Sequence, residues 1–353
     1  MAAVLAVALL AVVGVIVYRD LWSDRSDGPT EVVTGVIGSE KLPFFSDQRV
    51  RDIFAHNGIE LRVDPAGSRR IAETVPLDQY DFAFPSSHPA ADRILRDRPA
   101  ARTYAPFSSP MAIATYAPIV DLLTAEGMVE PGGTFFDMRR YLDVAQTGAR
   151  WDQLPGNTAF PARRNILLST TALCDSNSAS MYLAIASYVA NGDHVVSDPA
   201  GVDRVAPLVG PLFVDQGYQP ATTEVLFEDY LSSGMGRVPM ALVYEAQFVG
   251  QQVAEKSVLP TDARLLYPRP TVYSRHVLVP LTSAGDRVGQ LLEEDPELAR
   301  LAAEHGFRPT QPGPFAQALQ DASVAAPPEL IDVVEPPTFE TSERFLGALG
   351  CAA

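Results

Sequence analysis

The chain has 353 residues, of which 47% are apolar and 20% are charged, so it can bury a large core and is not intrinsically disordered. Length alone predicts about two domains. The net charge is −16 and no run of five basic residues occurs, so the sequence lacks the pattern of a nucleic-acid-binding surface.

An apolar segment opens the chain. Residues 2–18 carry no charge before Arg19, and this length is the lower limit for a membrane-spanning helix. A secretory signal peptide is the rival interpretation, but a basic n-region is absent and the cleavage site that would follow is poor. We predict a membrane anchor (or uncleaved signal) over residues 1–22 and a polar linker over 23–30. The rest of the chain is then expected on the extracellular side of the cell membrane.

Strands and helices alternate after the linker. Three apolar segments, each followed by helix signals, predict strands over residues 31–37, 60–63 and 82–84. This β-α-β order predicts an α/β fold with a parallel sheet.

The second half of the chain carries further signals of both kinds. The patterns predict strands over residues 111–115, 165–169, 239–244, 265–267 and 272–280. They predict helices over residues 134–146 with Thr134 as the N-cap, after Asp175, after Glu245, over 291–305 and over 341–349.

Four loops at predicted strand ends carry small hydroxyl or amide residues beside a helix start. They are Gly38-Ser39-Glu40, Gly67-Ser68-Arg69, Pro85-Ser86-Ser87, and Ser169-Thr170-Thr171 with Asp175-Ser176-Asn177. Ligands of open α/β sheets bind outside the carboxyl ends of the strands, where helix N-termini offer free N–H groups. Any one loop could simply cap a helix. The four together favour a site for a small polar ligand.

Charged residues near these loops have two interpretations each. The Arg69 guanidinium could hold a carboxylate or oxyanion, or it could lie on the surface beside Arg70. Asp175 and Glu245 could hold an ammonium group or a metal, or they could serve as an N-cap and as a first-turn acid that complements the helix dipole. Tyr244 could form a wall of the pocket.

Signatures of catalysis are missing from the sequence. There is no Gly-x-Ser-x-Gly elbow and no phosphate-binding loop, and the five histidines form no zinc-ligand pattern. We therefore expect no catalytic residue, no metal and no cofactor. His88 beside Ser87 is the nearest approach to a nucleophile with a base.

Two cysteines, Cys174 and Cys351, leave two alternatives open. In an exported chain they could form a disulfide, or they could be two buried thiols. The sequence does not place their Cα atoms within bonding range.

Several short stretches, in this order, carry a family resemblance. They are TGVIGSEK (34–41), GSRRIA (67–72), YDFAFPSS (80–87), SPMAIATY (109–116), VPMALVYE (238–245) and LLYPRPTVYSRHVLVPL (265–281). They resemble bacterial extracellular solute-binding proteins of the type II periplasmic-binding fold. The resemblance is nearest to the molybdate/sulfate-like branch, including relatives encoded with von Willebrand factor A domains.

The resemblance implies two α/β lobes that close on a ligand. Lobe one would comprise residues 31–116 plus 268–353, and lobe two residues 117–267. The side chains that would face the cleft are Ser39, Ser68, Arg69, Ser86, Ser87, Thr170, Thr171, Asp175 and Tyr244. The lipid-anchoring cysteine common in such proteins is missing, and the predicted membrane helix would replace it.

The expected function is non-catalytic capture of a small polar ligand, anionic or otherwise, for ABC-type uptake or sensing. An ABC permease or a von Willebrand factor A-type protein would be the partner. One alternative is a cell-envelope interaction or scaffold protein on the same fold, which a cleft filled by the protein's own side chains would indicate. The other is an enzyme on this fold that uses Ser87 and His88.

Overall fold

The computed structural model describes residues 30–325 and 330–351. The predicted membrane anchor over residues 1–22 and nearly all of the 23–30 linker lie outside these ranges. Within them, no helix combines the length and the hydropathy needed to cross a bilayer. The anchor therefore stays a prediction.

The described elements follow the alternation expected from the sequence. The strands are β1 (Glu31–Gly38), β2 (Ile59–Ala66), β3 (Phe82–Phe84), β4 (Tyr104–Tyr116), β5 (Phe135–Asp137), β6 (Met240–Tyr244), β7 (Ala263–Arg269), β8 (Tyr273–Pro280) and β9 (Arg308–Pro309). The first eight helices are α1 (Leu42–Ser46), α2 (Gln48–His56), α3 (Ser68–Glu73), α4 (His88–Asp97), α5 (Ala117–Ala125), α6 (Met138–Gln146), α7 (Asn177–Ala190) and α8 (Pro199–Val209). The later helices are α9 (Pro211–Val214), α10 (Thr223–Ser233), α11 (Glu245–Val253), α12 (Ser283–Glu294), α13 (Pro296–Glu304), α14 (Pro314–Asp321) and α15 (Phe339–Ala348). Short 3-10 turns lie at Ser39–Lys41, Leu77–Gln79 and Trp151–Gln153.

The strands lie side by side in the order β2-β1-β3-β8-β4-β7-β5, and β6 and β9 also pair with β4. β1 is parallel to both β2 and β3, as the alternation predicted. The long strand β4 pairs with β8 as far as Pro110 and with β6 from Met111 onward. β4 therefore runs from one half of the molecule into the other.

The first half, lobe one, has a core on each face of its sheet. Val33 and Ile37 of β1 pack with Phe44 on one face, while Val36 packs with Ile71 on the other. This division follows from the strand period of two, which sends alternate side chains to opposite faces.

Lobe two has one large core, and the end of the chain packs into it. Trp151 and Tyr182 are fully buried there, and Phe345 and Leu346 of α15 belong to the same core. The resemblance implied that residues 268–353 belong to lobe one; their last segment instead packs with lobe two, because α15 buries its apolar face against α8.

A disulfide fixes this last segment. Cys174 and Cys351 are bonded, with 5.4 Å between their Cα atoms, so the first of the two alternatives for the cysteines is the correct one.

Three predicted elements differ in the structure. The helix predicted over residues 291–305 is divided between α12 and α13, because the Asp295 carboxylate caps the start of α13. The segment 165–169 forms only isolated bridges at Asn165 and Ser169 rather than a strand. The helix predicted from Thr134 begins at Met138, because the preceding residues of β5 pair with β7 and the Asp137 carboxylate caps the helix.

Candidate functional site

One wall of the site comes from the strand ends of lobe one. Since β1, β2 and β3 are parallel, the residues that follow them meet at one edge of the sheet. Ser39, Ser68 and Ser86 lie together there and are buried. The Ser86 backbone N–H donates to Ser68 Oγ over 2.8 Å, which ties two of these loops together.

The other wall comes from lobe two. Ser176 and Asn177 lie at the start of α7, Thr223 starts α10, and Tyr244 ends β6. The Asn177 side-chain amide donates to Tyr244 Oη at 2.9 Å within this wall. It also donates to the Ser86 backbone oxygen at 3.3 Å, which lies on the opposite wall. Asn177 therefore joins the two lobes.

Two glycines allow these surfaces to approach closely. A Cβ added at Gly67 would lie 2.3 Å from the Asp175 backbone oxygen across the cleft. A Cβ added at Gly38 would lie 2.1 Å from Ser86 Oγ. A side chain at Gly67 would meet backbone atoms, whereas one at Gly38 would displace the side chains of Ser86, Glu40 and Lys41.

The closed site leaves a cavity of about 10 Å³. This volume accommodates roughly one water molecule. The lining residues are Ser39, Glu40, Ala66, Gly67, Ser68, Ser86, Ser176, Asn177, Ala221, Thr222, Thr223 and Tyr244. At this position, the protein's own side chains fill most of the space between the two walls.

A buried charged network supports this cavity. Lys41 Nζ is fully buried and lies 2.6 Å from Glu40 Oε1, 3.0 Å from Ser86 Oγ and 3.1 Å from His276 Nδ1. Ser86 Oγ in turn donates to Glu40 Oε1 over 2.5 Å. The three N–H groups of the Lys41 ammonium therefore each have an acceptor.

Burial sets the protonation of this network. Desolvation lowers the pKa of Lys41, while attraction and a hydrogen bond from Glu40 oppose that effect. Desolvation, together with the Lys41 charge, holds the pKa of His276 well below its ordinary value, so the imidazole is neutral. His276 Nδ1 then accepts from Lys41. His276 Nε2 is buried without a hydrogen-bond partner among the described residues.

Arg69 was predicted to face the cleft, but its guanidinium is directed elsewhere. It forms two 2.8 Å hydrogen bonds to the Glu343 carboxylate of α15. A third, also 2.8 Å, reaches the backbone oxygen of Cys174 in lobe two. Arg69 consequently joins lobe one to the C-terminal helix rather than lining the cavity.

Four other predicted residues also lie outside the cavity lining. Thr170 is fully buried and its backbone N–H donates to Gln216, while Thr171 Oγ1 hydrogen-bonds Ser178 Oγ. Ser87 precedes α4 and lines a separate surface pocket. Asp175 contributes a backbone oxygen to the contact with Gly67, and the N-cap position of α7 belongs to Ser176.

The carboxylate of Glu245 and the imidazole of His88 have partners away from the cavity. Glu245 accepts from Arg308 and from the Tyr267 hydroxyl. His88 is exposed and pairs with Asp92 at 2.9 Å. In the described ranges, no group of three or more His, Cys, Asp or Glu residues could hold a metal ion.

Sequence reasoning missed the charged part of the site. Lys41 and His276 were not singled out, and Glu40 and Asn177 were noted only as parts of loops. One signal was available: Lys41 is one of two lysines in a chain whose other basic residues are arginines.

A larger open basin of about 1040 Å³ adjoins this site. Glu40 and Phe44 line it from lobe one, and Glu224, Phe227 and Gln247 line it from lobe two. Glu40 lines both the basin and the buried cavity, so it separates the two.

Comparison with solved structures identifies the architecture. The apo ferric ion-binding protein A of Pasteurella haemolytica superposes with a TM-score of 0.57 at 12% identity, covering 90% of this chain and 95% of that one. The substrate-binding protein of an ABC transporter from Agrobacterium tumefaciens gives 0.54 at 16% identity, covering 92% and 96%. The sulfate-binding protein SubI of Mycobacterium tuberculosis H37Rv gives 0.51 at 17% identity, covering 86% and 93%.

The chain has the two-lobed, type II periplasmic-binding fold. The family resemblance read from the sequence is confirmed at the level of the fold. No protein-family model and no curated protein matches the sequence. The molybdate/sulfate-like branch and the von Willebrand factor A-associated relatives stay predictions.

Proposed function

We propose that this chain is a non-catalytic solute-binding protein that captures a small polar ligand between its lobes. The supporting observation is the convergence of Ser39, Ser68 and Ser86 from lobe one on Asn177 and Tyr244 from lobe two, at the edge where α/β sheets bind ligands. The fold is shared with proteins named for sulfate and ferric ion binding and for ABC transport.

The remaining parts of the proposal follow from the sequence. An N-terminal anchor would hold the protein on the extracellular side of the cell membrane. An ABC permease or a von Willebrand factor A-type protein would be the binding partner of this protein. An anionic ligand was expected because of Arg69, and the engagement of Arg69 by Glu343 weakens that expectation.

Capture requires the lobes to separate, because a cavity of about 10 Å³ admits little more than a water molecule. The crossing strand β4 changes its pairing partner between Pro110 and Met111, which is a suitable hinge. The second crossing is the segment between β7 and β8.

The test is a melting-temperature screen of the full chain, in detergent, against amino acids, sugars, polyamines and oxyanions. A ligand that binds only the folded state raises the melting temperature, by an amount that grows with its concentration. Tyr244→Phe, which alters the cavity wall, should reduce the shift. Tyr188→Phe, on α7 but outside the cavity, should leave it unchanged.

A second function is favoured by one observation, the filling of the cleft by Glu40 and Asn177. An interaction or scaffold protein of the cell envelope would keep its lobes closed in this way. Absence of any shift across the screen, together with mass spectra of gently purified protein that show no bound small molecule, would favour this alternative.

A further inference from the structure

We infer that the Glu40 carboxylate occupies the position that an oxyanion would take in the interlobe site. Because it accepts the hydrogen bonds that such an anion would need, the native protein selects against oxyanion ligands. This inference rests on the proposed function, since it specifies which ligands that site rejects. It gives Glu40 the role of a specificity-determining residue.

Two donors converge on one oxygen of the Glu40 carboxylate. Glu40 Oε1 receives the Lys41 ammonium at 2.6 Å and the Ser86 hydroxyl at 2.5 Å. The Glu40 side chain is only 3% exposed and the Lys41 side chain is not exposed at all. The absence of a side chain at Gly38 leaves room for this cluster, because a Cβ there would lie 2.7 Å from both Glu40 Oε1 and Lys41 Nζ.

The negative charge of Glu40 excludes a second anion from the cavity. Among the described residues that line the cavity, none is cationic, and Lys41 behind them is paired with Glu40. A bound oxyanion would place a second negative charge beside Glu40 with one buried cation to share between them. Two like charges in so small and dry a space repel strongly.

Removing the Glu40 carboxylate should reverse the selection. In Glu40→Ala, the buried Lys41 ammonium loses its counter-ion, and the truncation leaves space where the carboxylate was. A buried cation without a partner strongly destabilises the fold. A small anion that enters the vacated space would restore the pairing, so the variant should recruit one.

The experiment compares the full-length native protein with Glu40→Ala at fixed ionic strength, adding sodium acetate or sodium sulfate in place of sodium chloride. The Glu40→Ala protein should melt below the native protein, and acetate or sulfate should raise its melting temperature by about 3 °C or more over chloride. The native protein should show no such rise, and no heat of sulfate binding in calorimetry.

Three control variants fix the interpretation. Glu40→Gln keeps the space filled, so anions should not stabilise it. Glu255→Ala, at an exposed position of the basin, should behave like the native protein. The double variant Glu40→Ala/Lys41→Met removes both charges, so it should fold without added anion and show no anion effect.

Two results would overturn the inference. One is sulfate binding by the native protein as strong as that by Glu40→Ala. The other is a Glu40→Ala protein that gains nothing from acetate or sulfate over chloride; if this variant does not fold in chloride, its folded yield in acetate replaces the melting temperature. Neither result depends on the ligand screen: failure of the screen would count against solute capture, whereas the anion effect on Glu40→Ala reports separately whether the Glu40 carboxylate occupies an anion site.

Discussion

Glu224 faces the open basin from the first turn of α10, a position where the helix dipole favours a charged carboxylate. Burial nonetheless raises the pKa of its carboxyl to about 7, and repulsion from Glu228 and Glu40 adds to the effect. Desolvation therefore outweighs the dipole at this residue. The folded protein holds a proton on Glu224 at pH values where an unfolded chain would release it.

This shift predicts a pH-dependent stability. Because the folded pKa is raised from 4.5 to about 7, the contribution of Glu224 is fully present below pH 4.5 and is lost as the pH rises through 7. The loss amounts to about 3 kcal/mol. The free energy of unfolding, measured by urea titration at several pH values between 5 and 8, should fall less steeply with pH in Glu224→Gln than in the native protein.

Glu255→Gln is the matched control for that measurement, since Glu255 lines the same basin but is exposed. The free energy of unfolding of this control should change with pH as steeply as that of the native protein. Equal slopes for Glu224→Gln and the native protein would contradict the prediction.

The residue scale also shows which predicted positions the structure brings together. Ser39, Ser68 and Ser86 were predicted from strand ends, and the parallel strands β1, β2 and β3 bring those ends together by geometry alone. Tyr244, predicted as a wall of the pocket, lies opposite them at the end of β6 in lobe two. Arg69 could not be predicted in the same way, because its partner Glu343 is 274 positions away in the chain. The burial of Glu40 and Lys41 depends likewise on tertiary contacts that local pattern does not contain.

At the scale of elements, α15 connects the two lobes. Its Glu340 and Glu343 pair with Arg96 and Arg69 of lobe one, while its apolar side chains pack in the core of lobe two. The helix itself was predicted from its pattern. Its packing was not, because an amphipathic helix shows which face is buried but not which core receives it.

The disulfide that follows α15 should contribute strongly to stability. Its two cysteines are 177 positions apart, so bonding them removes much conformational freedom from the unfolded chain. Replacing both with serine should lower the free energy of unfolding by about 3–5 kcal/mol. Urea titrations without reductant measure this difference.

The single variant Cys351→Ser should unfold at the same urea concentration as the double variant, and so should the native protein treated with a dithiol. If the double variant unfolded at the same urea concentration as the native protein, the disulfide would contribute nothing to stability.

At the scale of the whole molecule, direct polar contacts across the cleft add to the connection that α15 makes between the lobes. Asn177 donates to the backbone of Ser86, and Arg69 donates to the backbone of Cys174. The double variant Asn177→Ala/Arg69→Ala should therefore open the cleft. Small-angle X-ray scattering should show a radius of gyration that rises from about 20 Å by roughly 1 Å.

Asn191→Ala/Arg204→Ala is the matched control, since that exposed pair lies within lobe two at 2.9 Å. It should leave the scattering curve unchanged. An unchanged curve for the first variant as well would mean that the lobes are held by other contacts.

The bond between Cys174 and Cys351 also closes residues 174–351 into a covalent ring, which contains part of lobe two and the strand β8 of lobe one. A mechanical force applied between Glu31 and Cys351 would pass through the sulfur atoms and bypass that ring. Only the chain before Cys174 could lengthen under such tension, so the residues inside the ring, among them Asn177 and Tyr244, are shielded from extension.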